Sequence, residues 1–107
     1  MSGERTPEEA ARWAADSSRL MSGEDPNTLR VTDAIHWMRV YEELITVKDD
    51  LIDTAMSRLD DLDPRASEEI RGGDLTLLRA ERERFSRRLS FWKDRHRQLE
   101  DQATSPS

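Results

Sequence analysis

Residues 75–99, LTLLRAERERFSRRLSFWKDRHRQL, decide the fold of this chain because their apolar side chains recur with a seven-residue period. The two heptad positions are occupied by Leu78, Phe85, Trp92 and Leu99 and by Leu75, Arg82, Leu89 and His96. A period of about 3.5 residues puts a narrow apolar stripe on one face of a helix, and a second helix covers such a stripe better than a broad core does. The stretch therefore predicts a helix that packs along another helix, of the same chain or of a second copy.

A second long amphipathic helix is predicted over residues 33–62, with Thr32 or Asp33 as its N-terminal cap. Its apolar positions form a wide arc, made of Ile35, Trp37, Met38, Val40, Tyr41, Leu44, Ile45, Val47, Leu51, Ile52, Ala55, Met56, Leu59 and Leu62. Lys48 lies inside this arc, where it either fixes the register or extends its amine to solvent. An arc this wide needs neighbours on two sides, so we expect one side to face residues 75–101 and the other to face a second copy.

A first helix is predicted over residues 7–22. Thr6 can cap it, Pro7 suits the first helical position and Glu9 can complete a capping box. Gly23 can adopt the left-handed conformation that ends a helix. Trp13 is the expected anchor of this helix, and residues 24–31 are interpreted as a connector.

A short helix over residues 64–71 is predicted to follow the second long helix, because Asp63 and Pro64 stop one helix and can begin another. Gly72 and Gly73 are expected to end this short helix, with Asp74 capping the final helix over residues 75–101. Residues 1–5 and 103–107 are expected to be disordered.

The fold class predicted from these elements is all-α, with a long antiparallel, coiled-coil-like helical hairpin and a short N-terminal helix in one domain, residues 6–102. Helices of about 30 and 27 residues span roughly 45 and 40 Å and so match as a hairpin. Residues 42–74 carry a net charge of −7 and residues 79–97 a net charge of +5, which favours their pairing. We expect two hairpins to dimerise into a four-helix-type bundle through an association seam of Leu75, Leu78, Arg82, Phe85, Leu89, Trp92, His96, Leu99, Tyr41, Leu44, Ile45, Leu51 and Ile52.

Composition limits the classes of protein to which the chain can belong. Charged residues make up 37% and hydrophobic residues 35% of 107 residues, which leaves little apolar material for a private core and favours self-association. The chain has no cysteine, which excludes disulfides and thiolate chemistry. Neither a membrane-spanning run nor a signal peptide is evident, so we expect a cytoplasmic protein. The excess of arginine over lysine is typical of a GC-rich bacterial genome.

The final helix also carries a basic face, formed by Arg84, Arg87, Arg88, Phe91 and Arg95. Guanidinium groups around an aromatic ring can bind a nucleotide, another anionic ligand or an acidic protein. The alternative is that these arginines pair with acidic helices of the same molecule and that Phe91 packs under the first helix. A net charge of −6 makes nucleic acid an unlikely partner.

Two polar residues, Arg82 and His96, occupy heptad core positions, where polar side chains commonly set register or oligomeric state. Their position could also make association depend on pH through His96. No metal site, cofactor or enzymatic activity is expected, because the two histidines are not accompanied by convergent ligands or by a nucleophile with its base.

The segment around His36, with Trp37 and Met38, resembles the dimerisation and phosphoacceptor helices of two-component signalling proteins. This resemblance implies that His36 is a phosphoacceptor within a dimeric bundle. The alternative is a partly exposed histidine beside Trp37 with no chemical role. The function that we expect is a small homodimeric protein-interaction module acting as an adaptor, regulator or inhibitor of a protein that the sequence does not identify.

Overall fold

The computed structural model describes residues 6–104, and within that range it is all-helical, as predicted. α1 spans Pro7–Ala15, α2 Val31–Leu59, α3 Pro64–Glu69 and α4 Leu75–Thr104, with a π-helical turn at Ile70–Asp74 between α3 and α4. α4 thus continues into the segment that the sequence predicted to be disordered. The predictions for residues 1–5 and 105–107 lie outside the described residues.

α2 and α4 pack against each other as an antiparallel hairpin. The ring of Tyr41 lies 5.9 Å from that of Phe85, and Met56 Sδ lies 3.6 Å from Arg79 Nη2. Later residues of α2 therefore contact earlier residues of α4, which shows that the two helices run antiparallel. The hairpin predicted from the matched lengths and opposite charges of the two helices is confirmed.

The core lies in the seam of this hairpin. Its buried cluster consists of Ala34, Tyr41, Phe85, Trp92 and Leu99. Burying one large apolar side chain contributes about 1.5–3 kcal/mol, so this cluster supplies much of the stability of the fold. The radius of gyration is 17.9 Å, whereas a compact domain of this length has a radius of about 13 Å. The molecule is elongated, and much of each long helix stays at the surface.

α1 ends at Ala15, earlier than the predicted end near residue 22. The carboxylate of Asp16 accepts hydrogen bonds from the backbone N–H of Ser18 at 3.0 Å and from its hydroxyl at 2.6 Å. Such local bonds offer the backbone an alternative to the helix. The predicted start is correct, because Thr6 Oγ1 accepts from the N–H of Glu9 and Pro7 is the first helical residue.

α1 docks on α4 through a different residue from the one predicted. Ala14 is buried, whereas Trp13 is 47% exposed and carries the Arg19 guanidinium 3.2 Å above its ring. A small residue in the contact lets the two helices approach closely. Trp13 therefore lies at the surface against Arg19 and does not anchor α1 in the core.

α2 begins at Val31, ahead of both predicted caps. Arg30 occupies the cap position without a side-chain hydrogen bond, and Thr28 instead organises the turn. Its hydroxyl donates to Asp33 Oδ2 at 2.5 Å and accepts from the N–H of Arg30 at 3.2 Å. α2 ends at Leu59, three residues before the predicted end.

α3 and α4 form one continuous helical path, which corrects the prediction that Gly72 and Gly73 end a helix. The N–H of Leu75 donates to the carbonyl of Ile70, five residues earlier, in the widened π turn. Gly23 is the only residue between 6 and 104 with a positive φ, so neither Gly72 nor Gly73 reverses the chain. Asp74 consequently lies inside the path and does not cap α4. The Asp63–Pro64 start of α3 is as predicted.

Candidate functional site

The basic face of α4 is the surface on which the connector between α1 and α2, residues 16–30, docks. Arg84 and Arg88 are buried, and Arg95 Nη2 donates to the carbonyl of Thr28 at 2.8 Å. Arg87 is exposed and pairs with Glu83 at 2.5 Å. Phe91 is half-buried and lies edge-on to the ring of Trp92, 5.1 Å away.

Glu24, in the middle of the connector, is the centre of this contact. Its Oε2 accepts from Arg88 Nη2 at 2.7 Å, from Arg88 Nε at 3.1 Å and from Trp92 Nε1 at 2.7 Å. Its Oε1 accepts from the Tyr41 hydroxyl at 2.5 Å and from the N–H of Met21 at 2.9 Å. One buried carboxylate thus joins the connector, α2 and α4.

The protonation of this cluster follows from its burial and hydrogen bonds. Burial opposes the charged form of Glu24, but the hydrogen bonds from Tyr41, Met21, Trp92 and Arg88 outweigh it and lower the pKa of Glu24 below its usual value. Burial, together with the adjacent Glu24 carboxylate, raises the pKa of Tyr41 to about 12. Glu24 is therefore a carboxylate and Tyr41 a neutral hydrogen-bond donor at neutral pH.

The sequence reasoning missed Glu24, which it placed in a connector without a role. The sequence did contain one indication, because several side chains expected in the core are hydrogen-bond donors that need an acceptor. Tyr41 and Trp92 occupy core positions and carry polar tips that need a hydrogen-bond partner once buried. Arg88, one turn before Trp92, adds a positive charge to the same face. Three hydrogen-bond donors around one buried position need an acceptor, and a carboxylate can accept from all three. Local patterns within the connector do not show which residue provides that carboxylate.

Two other arginine atoms on this face have no hydrogen-bond partner among the described residues, namely Arg84 Nε and Arg95 Nε. The Arg84 guanidinium lies 4.8 Å from the centre of the Phe85 ring. It also lies close enough to Asp16 to help lower the pKa of that exposed carboxyl, after the larger effects of the Ser18 hydrogen bonds and of Arg19. The basic face is occupied by internal contacts, and its role in ligand binding stays a prediction.

The polar residues of the heptad seam lie at its edges. Arg82 forms an ion pair with Asp49 across the hairpin and is about half exposed. His96 lies 3.2 Å from Glu100 on the same helix, and Lys48 Nζ lies 3.2 Å from Glu81 Oε2. Arg82 and Asp49 are both about half exposed, and an exposed pair contributes about 0–1 kcal/mol, so the buried apolar residues of the seam outweigh this pair.

The remaining seam residues divide between two faces. Leu75, Phe85, Trp92, Leu99, Tyr41 and Ile52 are buried, and Leu78, Leu89, Leu44 and Ile45 are half-buried. Leu51 differs from the others, because it is 45% exposed and lies on a flank of α2, roughly a quarter-turn from the buried Ile52.

A row of apolar residues on this flank of α2 forms the outer stripe, made of Val40, Leu44, Val47 and Leu51, of which Leu44 also packs against the core of the hairpin. Their spacing of four, three and four residues places them on one helix face. Val47 is 52% exposed, whereas Val40 and Leu44 are half-buried. The wide apolar arc predicted for this helix is therefore covered on one side by α4 and uncovered on the other.

His36 lies in the second turn of α2 and is exposed, with its ring edge-on to that of Trp37 at 4.9 Å. The fold gives it no carboxylate contact among the described residues. Within residues 6–104 no three histidine, aspartate or glutamate side chains converge as metal ligands. None of the helices in the same range is long and apolar enough to cross a membrane.

Comparisons of this chain with protein-family models, with curated proteins and with solved structures find no match. The two candidate functional surfaces of the molecule are the occupied basic face and the outer stripe.

Proposed function

We propose that this chain is a small homodimeric helical module that binds another protein, as an adaptor, regulator or inhibitor. The observation that carries the proposal is the outer stripe of α2. Isolated exposed apolar residues are common on proteins. A row at helical spacing, beside the face that already packs on α4, is typical of a helix with a second partner.

The shape of the molecule supports self-association. Its principal extents are 65, 36 and 16 Å, and one helix with its side chains is about 10–12 Å across. The hairpin is thus a thin layer that cannot enclose both sides of α2. Two such layers joined through the outer stripes would form a four-helix arrangement of two α2 and two α4 helices.

The acidic end of the hairpin supports binding of a second protein. The end of α2, the turn after it and α3 expose more carboxylates than guanidinium groups, namely Asp60, Asp61, Asp63, Glu68 and Glu69 against Arg58 and Arg65. A concentrated negative patch steers association with a basic surface and selects against acidic ones. The partner that we propose is therefore a protein with a basic docking surface.

Sedimentation velocity of the full chain tests the homodimer. The wild type is expected to be a dimer at micromolar concentrations, and the Val47→Glu/Leu51→Glu variant a folded monomer with unchanged circular dichroism. The matched control is Leu77→Glu, since Leu77 is a 39% exposed apolar residue on α4 outside the stripe. A monomeric wild type, or a dimer that survives the double substitution, would overturn the homodimer proposal.

Affinity capture tests the protein partner. Immobilised wild type and an Asp60→Lys/Asp61→Lys variant, both checked for helix content, are compared for specifically retained proteins. We expect the wild type to retain a basic protein that the charge-reversed variant loses. Identical retention by both would contradict the role of the acidic end.

A further inference from the structure

We infer that the two copies associate antiparallel through their outer stripes, about a two-fold axis that crosses α2 between Ile45 and Thr46. The inference rests on the proposed homodimer and adds its orientation and register. The surface is defined by Val40, Leu44, Val47 and Leu51, and the occupant is the same stripe of a second copy.

The spacing of the stripe is symmetric about this axis. Val40 and Leu51 are equally far from its midpoint, and so are Leu44 and Val47. An antiparallel alignment thus places Val40 against Leu51 of the second copy and Leu44 against Val47, so that the layers formed by these four residues are apolar. A parallel alignment would also give apolar layers, so orientation depends on the charges at the two ends.

Asp33 and Arg58 continue the stripe at its ends, because Asp33 lies seven residues before Val40 and Arg58 lies seven residues after Leu51. Their distances from the axis are equal and their charges are opposite. Arg58 is exposed and has no ion-pair partner among the described residues. Asp33 is half-buried, and its Oδ2 accepts from Thr28.

The antiparallel alignment pairs Asp33 with Arg58 of the second copy at both ends of the interface. The parallel alignment would instead stack Asp33 on Asp33 and Arg58 on Arg58. The exposed residues just outside the helix follow the same rule, because Arg30 and Asp61 are also equally far from the axis. Complementary charges at both ends affect the orientation of the two copies more than their affinity. The antiparallel helix dipoles also favour this orientation.

One pair of charges opposes this arrangement. Glu43 and Asp50 lie along one edge of the stripe. In the antiparallel alignment Glu43 of each copy approaches Asp50 of the other copy. Both are exposed, so water and salt screen their repulsion. Asp33 and Arg58 lie on the stripe itself, where the helices approach most closely, and therefore weigh more.

Distances between spin labels distinguish the two orientations, and the absence of cysteine allows single labelling sites. Ser57→Cys places a label next to Arg58 without removing it. In the antiparallel dimer the two labels are separated by about 35 Å along the helices, at about 1.5 Å per residue. In a parallel dimer they are separated by about the interaxial distance of 8–10 Å plus the label linkers. Thr46→Cys, beside the axis, is the control because its labels are close in either orientation.

Each outcome has a separate meaning. A long Ser57 distance together with a short Thr46 distance supports the antiparallel register. Short distances at both sites overturn the register and leave the homodimer standing. Absence of dipolar coupling at both sites, with a monomer in sedimentation, means that the proposed homodimer itself fails.

A charge reversal provides a second readout. Arg58→Glu is expected to weaken dimerisation by roughly tenfold, since it changes two exposed ion pairs in each dimer. Arg65→Glu reverses an exposed charge on α3, outside the stripe, and is expected to leave the dissociation constant unchanged. Equal dissociation constants for Arg58→Glu and wild type would overturn the inferred register.

Discussion

Arg88 Nη2 lies 2.7 Å from Glu24 Oε2, and this ion pair between two buried side chains joins the connector to α4. A buried ion pair is favourable only when its other polar atoms are also satisfied. Tyr41, Trp92 and the N–H of Met21 complete that requirement at Glu24. The pair therefore determines where the connector, and with it α1, lies on the hairpin.

Glu24→Gln is expected to lower the free energy of unfolding by about 3–5 kcal/mol, because it leaves the Arg88 charge buried without its counter-ion. Urea denaturation followed by circular dichroism measures the loss. The control is Glu42→Gln, which neutralises an exposed carboxylate on α2 and should change stability by less than about 0.5 kcal/mol.

Combining Glu24→Gln with Arg88→Met should cost less than the sum of the two single substitutions, because both members of the pair are then neutral. Additive effects, or a Glu24→Gln variant as stable as Glu42→Gln, would contradict the role assigned to the ion pair.

Tyr41 is expected to resist ionisation in the folded protein, because burial and the Glu24 carboxylate raise its pKa to about 12 from 10.0. A raised pKa contributes stability that is fully present below pH 10 and is lost as the pH rises from 10 towards 12, an effect of about 2–3 kcal/mol. The chain has a single tyrosine, so tyrosinate absorbance reports on it alone. We expect ionisation near pH 10 in denaturant and well above it in the folded state.

The Tyr41→Phe variant provides the control for that titration. It should lose about 1.5–3 kcal/mol at neutral pH, the value of a hydrogen bond to a charged group. It should also lose less stability than the wild type between pH 10 and 12. Equal alkaline destabilisation of both proteins would show that Tyr41 does not carry the effect.

Gly72→Ala and Gly73→Ala are each expected to stabilise the protein by about 0.5–1 kcal/mol, because both glycines lie in helical backbone and alanine restricts the unfolded chain. A Cβ at either position would have no atom within 4 Å. Gly23→Ala should destabilise by about 1–2 kcal/mol, since Gly23 has a φ of +83°. Thermal unfolding measures all three. Destabilisation by both helical substitutions would mean that the path from α3 to α4 is interrupted in solution.

Arg82→Ala is expected to cost no more than about 1 kcal/mol, because its ion pair with Asp49 is half exposed. Phe85→Ala, at a buried position of the same helix, should cost about 3–5 kcal/mol. A double-mutant cycle of Arg82→Ala with Asp49→Ala measures the pair directly. A coupling as large as the Phe85 effect would mean that Arg82 specifies the hairpin register energetically, as its heptad position predicts.

Much of the hairpin could be predicted because it depends on local periodicity. The heptad row from Leu78 to Leu99 and the arc of α2 are properties of the sequence, and a helix with an apolar stripe has few ways to bury it. The starts of α1 and α3 followed from Thr6–Pro7 and Asp63–Pro64, since a cap acts within one turn. Helix ends were less predictable. The side chain of Asp16 competes with the helix in a way that periodicity does not show, and Gly72–Gly73 can continue a helix as well as end it.

The sequence by itself determined an all-helical hairpin, because apolar spacing and capping residues act over a few residues at a time. Only the tertiary structure decided that the basic face of α4 holds the connector and that Glu24 is its buried acceptor. Arg88, Tyr41 and Trp92 lie 64, 17 and 68 residues from Glu24 in the chain. The residue type shows that each buried donor needs a hydrogen-bond acceptor. Which residue provides that acceptor depends on how the chain folds back on itself.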